Sequence, residues 1–322
     1  MKFGEKPISK CIGDLLVHSV KLPDGKLPKG TSLSKAHIQK LRSVGITSIL
    51  VASLEEGDVD ENLAAKLLSN AFKKIGFQLS APATGRVNFI AEKLSIARLD
   101  VEKIKRLNEI DEAITFATVL PDQLLVKGQM LATLKIIPYA VSQNSIDEAL
   151  NLIASSVLLS CQNLISLNFS LIQTKFEDTK SSILIATENV TRARLAQLDC
   201  SLVDCQIVDH TSMNVSKAMI RAREQGAQAF LLCGASAIAD RLDVLPEALR
   251  LVGGEIIHIG LPVDPGNLSM VGEWDGMVVL GMPGCARSSK LNGLDWLLQK
   301  TLAGVKLDTV SYTHLRAHET KR

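Results

Sequence analysis

AFLLCGASAIADRLD, Ala229–Asp243, is the stretch that decides the fold. Five apolar residues end at Cys233 and pass directly into small residues and then two aspartates. A short unbroken apolar run reads as a strand buried on both faces. Strands of that kind belong to parallel sheets covered by helices on each side. Outward from this stretch the alternation continues. Before it come a strand at Ser182–Glu188, a helix at Val190–Leu198 with Thr191 near its start, a strand at Leu202–Val208 and a helix at Asn214–Gln225 stopped by Gly226. After it come a helix at Leu245–Val252, strands at Glu255–Gly260 and Met277–Gly281, and a helix at Lys290–Leu302 closed by Gly304. The pattern predicts an α/β domain with a mostly parallel sheet.

The first half reads differently. Leu15–Ser34 alternates short apolar runs with Pro-Asp-Gly and Pro-Lys-Gly, which predicts tight turns between short strands. Ser34 is placed to cap a helix that Gly45 stops, and Ile46–Leu54 follows as a β-branched strand. Asp60–Ile75 has helical spacing, Leu131–Val141 reads as a long strand, and Ser145 opens a helix to Leu159. Asn151–Ile172 carries Gln162, Asn163 and Asn168. It therefore reads as a buried helix and strand, and not as a membrane span. A β-rich α+β region over 1–175 thus precedes an α/β domain over 182–307. Ser311–Arg322, SYTHLRAHETKR, has no apolar run and reads as a non-native tail.

Composition narrows the function. The 322 residues suffice for about two domains of ~150 residues. Lys+Arg 36 against Asp+Glu 34 gives +2, and aromatic residues are only 4%, so neither a nucleic-acid surface nor a stacking platform is expected. The cores are expected to be aliphatic. The six cysteines lack CxxC spacing, and Met1–Asp14 has no apolar leader, which predicts a cytoplasmic chain with reduced thiols.

In open α/β sheets ligands collect beyond the carboxyl ends of strands. Three turns there carry candidate chemistry. The first, Gly234–Asp243, offers backbone N–H groups, the Ser236 hydroxyl, and Asp240 and Asp243. Two carboxylates beside a phosphate suit Mg²⁺, although either could equally cap the next helix. The second, Leu261–Asn267, holds Asp264, Pro265 and Gly266. The third, Gly281–Lys290, feeds Gly281, Pro283 and Gly284 into a helix start with Arg287, Ser288 and Lys290, which is anion-site chemistry. No Walker motif is present, and Ile238 stands where a nucleophile elbow needs glycine. Cys285 has no histidine near it in sequence to act as its base, and His258 within an apolar strand reads as a core residue.

Taken together, GASAIADRLD, PVDPGNL and GMPGCARSSKLNGLDW resemble the molybdopterin-binding domain of molybdenum cofactor biosynthesis proteins. The likeness is greatest to the molybdopterin-binding half of bacterial fusions with a nucleotidyltransferase. KGTSLSKAHIQKLRSVGITSILV is similar to the accessory region of molybdopterin molybdenumtransferases. The resemblance implies a three-layer α/β/α domain whose strand-end pocket takes molybdopterin or its adenylyl or cytidylyl form. It implies that Gly234, Ser236 and Asp240, with Asp243 close by, line that pocket, and that Gly281, Pro283, Gly284 and Ser288 hold the phosphate side; the carboxylate pair read above makes Asp240 and Asp243 the expected Mg²⁺ ligands and catalytic residues. Two expectations follow: a Mg-dependent transferase of the molybdenumtransferase type, or a non-catalytic binding module serving a nucleotidyltransferase domain. Asp264 and Asn267 stand where the insertases carry lysines, and Cys285-Ala286 replaces Asn-Pro. This loss of positive charge favours binding over insertion. The aliphatic N-terminal strands could pair across a homo-oligomer; no nucleic-acid or membrane partner is expected.

Overall fold

The computed structural model describes residues 1–305, so the tail Ser311–Arg322 and the last two residues of the 182–307 domain lie outside the described residues. The chain forms two compact units, Met1–Gln162 and a second that starts at Asn163.

Short antiparallel sheets dominate the first unit. Lys2–Pro7 and Leu15–Leu16 flank Ser48–Ser53, and Pro23-Asp24 closes a hairpin between Val20–Leu22 and Gly25–Leu27. Ser34 caps the helix Lys35–Ser43: its hydroxyl accepts from His37 N–H, and the His37 ring accepts from Ser34 N–H. A four-stranded sheet packs with the helices Glu61–Ala71 and Gln143–Ala154 into one core. That core is not wholly aliphatic, because Phe72, Phe77, Phe89 and Phe116 stack within it at 5.0–5.3 Å between ring centroids. The strand expected over Leu131–Val141 stops at Ile136, since Pro138 lacks the N–H to continue a ladder.

In the second unit β1 (Asn168–Lys175), β2 (Ser201–Asp209), β3 (Ala229–Cys233), β4 (Glu255–Ile259), β5 (Met270–Trp274) and β6 (Met277–Gly281) form one sheet in the order β2-β1-β3-β6-β5-β4. β2, β1, β3 and β6 are parallel neighbours; β5 runs against both β6 and β4. Four helices cover it: α1 (Ser181–Ala196), α2 (Ser212–Glu224), α3 (Val244–Leu251) and α4 (Gly293–Leu302). Ile172, Phe230, Leu232 and Val279 face α2 and α3. Their alternate neighbours face the other layer, where the Gln173 side-chain amide donates to the Leu184 carbonyl of α1 and Arg194 pairs with Asp295 of α4. The result is a three-layer α/β/α unit with a mostly parallel sheet.

Two further expectations fail. The helix expected from Lys290 starts at Gly293, so the third turn passes through a single short helical turn, Gly284–Arg287, and does not feed directly into a helix N-terminus. Ser182–Glu188 is part of helix α1, and the strand preceding it in the sheet is Asn168–Lys175. The buried positions of α1 are Leu184, Thr187, Thr191, Arg194 and Leu195. That stripe has helical spacing, but three of its members are polar, so it escapes an apolar-periodicity reading. Among the described residues no helix is long and apolar enough to cross a membrane.

Candidate anion site at the strand ends

β2, β1, β3 and β6 all point their carboxyl ends at one rim of the sheet. β4 runs the same way, being antiparallel to β5 as β5 is to β6. Across this rim stand His210 after β2, Thr174 near the end of β1, the bend Gly234-Ala235-Ser236 after β3, and Gly281–Arg287 after β6.

Each residue of the Gly234–Ser236 bend is held by a different element. Arg287 donates to the Gly234 carbonyl at 2.6 Å. The Ala235 N–H donates to Thr174 Oγ1 at 2.7 Å. Ser236 Oγ lies 3.1 Å from His210 Nε2, and His210 Nδ1 lies 2.7 Å from Thr174 Oγ1. The bend is tightly curled: a Cβ on Gly234 would lie 2.5 Å from the Ser236 carbonyl oxygen. Gly281 is equally constrained, since a Cβ there would lie 2.4 Å from Cδ1 of Ile238. The first and third turns are therefore in direct contact.

The third turn is shaped from behind. Arg194, buried on α1, donates to Asp295 Oδ1 at 2.7 Å, to the Ala286 carbonyl at 2.9 Å and to the Ser288 carbonyl at 2.8 Å. Pro283 is buried and its carbonyl accepts from Ala286 N–H; Gly284, Ser288 and Lys290 are exposed. The Ser288 hydroxyl accepts from Lys290 N–H. The second turn meets the start of α4, where the Pro265 carbonyl accepts from Gly293 N–H at 2.9 Å. Gly266, at φ +126°, leaves no room for a side chain: its Cβ would lie 2.4 Å from Gly293 N. Asp264 is exposed beside it.

Arg287 is a half-buried cation of this rim. Its Nε is buried with no hydrogen-bond partner, and among the described residues it forms no ion pair. Its neighbour Cys233 has its thiol pushed up by burial, with Arg287 opposing. Burial likewise pushes up the Cys285 thiol, which disfavours a thiolate nucleophile there.

Asp240 and Asp243 do not share a helix face, because α3 starts only at Val244. Asp243 is its N-cap: one carboxylate oxygen accepts from Val244 N–H and the other from Ala239 N–H. Asp240 Oδ1 accepts from Leu242 N–H. Three of the four carboxylate oxygens thus close the turn, and among the described residues no group of three or more His, Cys, Asp or Glu could hold a metal ion. Both carboxylates thus serve turn closure. Sequence reasoning did not single out His210, Thr174 and Arg194. The strand-end rule does point to His210, which directly follows the strand Ser201–Asp209. Arg194 carried no signal, since a helical arginine reads as solvent-facing.

No protein-family model matches the chain, and no curated protein matches it. Several solved structures are similar to it. A molybdenum cofactor biosynthesis protein from Pyrococcus furiosus is 10% identical over 95% of this chain and 66% of its own, with a TM-score of 0.26. The molybdopterin biosynthesis moea protein from Pyrococcus horikosii is 10% identical over 94% of this chain and 76% of its own, at 0.31. The tungsten cofactor synthesizing protein MoaB from Pyrococcus furiosus is 17% identical over 42% of this chain and 91% of its own, at 0.27. The chain thus spans just under two thirds of the first of these.

Proposed function

We propose that the second unit binds the phosphate end of molybdopterin, or of its nucleotidyl form, and that the protein serves molybdenum cofactor biosynthesis. The observation that carries this reading is Arg287: a half-buried guanidinium that donates to a carbonyl and, among the described residues, pairs with no carboxylate, set between two glycine-rich bends. Such a cation is complemented by an incoming oxyanion, for which the guanidinium fork is well shaped. The three motifs GASAIADRLD, PVDPGNL and GMPGCARSSKLNGLDW support the pterin as the rest of the ligand. Lys290 at the exposed mouth adds positive charge, and Asp264 subtracts from it.

Binding without chemistry is the version the residues favour. Asp264 and Asn267 take the place of the insertase lysines, and Asp240 and Asp243 serve the local backbone. The test is retention of molybdopterin by the purified protein under anaerobic gel filtration. Wild type is expected to carry the pterin, and Arg287→Ala to lose it. Pterin retained equally by both would refute the reading. Adenylyl-molybdopterin with molybdate then separates the two versions: a binding module releases no AMP, and steady AMP release would establish a transferase.

A further inference from the structure

His210 is a titratable group at the rim that the proposed binding does not use. It meets the Thr174 hydroxyl from β1 and, just past the end of that strand, the Phe176 ring in an edge-to-face arrangement with ring centroids 5.0 Å apart. From the first turn it meets the Ser236 hydroxyl, and the Asp243 carboxylate acts on it across the turn, favouring its proton. Lys175 and Asp209 are register partners at the strand ends beside it. Burial outweighs these influences and keeps the imidazole below the ordinary histidine range, so it is neutral at neutral pH.

Resting on the anion-binding reading above, we propose that His210 completes the site through Ser236, taking up one proton when a dianionic oxyanion binds. The hydrogen bonds give the reason. Protonated on both nitrogens, His210 donates through Nδ1 to Thr174 Oγ1 and through Nε2 to Ser236 Oγ. Ser236 Oγ then accepts, so its own O–H must turn away from His210 and is free to donate to the ligand. A phosphoryl group carries about −1.5 to −2 at neutral pH, which Arg287, with Lys290 offset by Asp264 at the exposed mouth, does not balance. The site therefore gains a further positive charge only when it is filled.

The experiment uses sulfate, a dianion that does not itself titrate near neutral pH, with the full chain. The imidazole signals are followed by NMR between pH 5 and pH 8 with and without sulfate, His210 being assigned by its loss in His210→Gln. The expected result is a rise in the His210 pKa on saturation, with sulfate affinity about fivefold or more higher at pH 6 than at pH 8. In His210→Gln that pH dependence is flat. Sulfate that binds in an Arg287-dependent way while His210 titrates unchanged would overturn the proton uptake and leave the anion site standing. No sulfate binding at either pH would remove both. If His210→Gln fails to fold, His210→Asn supplies the assignment and the wild-type titration decides.

Discussion

Arg194 is 6% exposed and has three separate acceptors, so removing it does more than delete one ion pair. Arg194→Ala leaves Asp295 without its cation and two carbonyls of the third turn without donors. A loss of about 3–5 kcal/mol is expected in urea unfolding, as for a broken buried pair. Arg194→Lys should recover only part of it, because an ammonium cannot span the three acceptors. Gly281→Ala places a methyl against Ile238 and the Cβ of Met270 and should cost about 1–3 kcal/mol. Ile238→Val removes the closest atom, so the double variant should be more stable than the sum of the single losses predicts, as a double-mutant cycle would measure. His210 has the opposite pH logic to a paired carboxylate. Burial lowers its pKa in the folded protein, so the unfolded chain binds the proton more readily. Its cost to stability is absent above the ordinary histidine value of about 6.5 and grows as pH falls from there toward the folded value. His210→Gln should flatten that part of the stability–pH curve; an unchanged slope would contradict the burial argument.

Helix α4 shows how one element positions two parts of the rim. Asn292 caps it by accepting from Leu294 N–H, and Asp295 reaches back to Asn292 N–H. The next residue, Gly293, holds the second turn through Pro265. Asn292→Ala should cost about 1 kcal/mol in thermal unfolding, and the conservative Asn292→Asp much less. At this scale the sequence was readable where caps and apolar runs coincide. Ser34, Asp60 and the run Ala229–Cys233 each announce their element. It misled at SILIATE, where β-branched residues suggest a strand while tertiary packing recruits Thr187 and Thr191 to a helix stripe. There the Thr187 hydroxyl is satisfied locally, donating to the Ile183 carbonyl at 2.8 Å. The three turns were legible because glycine and proline mark strand ends. The network behind them was not, since Thr174, Arg194 and His210 lie 24 or more residues from the turns they hold, and nothing local marks a distant partner.

Across the whole molecule, all of the proposed chemistry falls in the unit that starts at Asn163. Ligand at 100 times its Kd should stabilise that unit by about 2.7 kcal/mol. Differential scanning calorimetry should therefore show a shift that Arg287→Ala abolishes, and a shift surviving that substitution would put the ligand elsewhere. The central claim is that the strand-end bends gather around an anion held by Arg287. Backbone amide chemical-shift mapping during titration with inorganic pyrophosphate tests it most directly. The account predicts saturable shifts concentrated at residues 234–238 and 284–290 and lost in Arg287→Ala. Shifts scattered over the chain, or confined to the first unit, would contradict it.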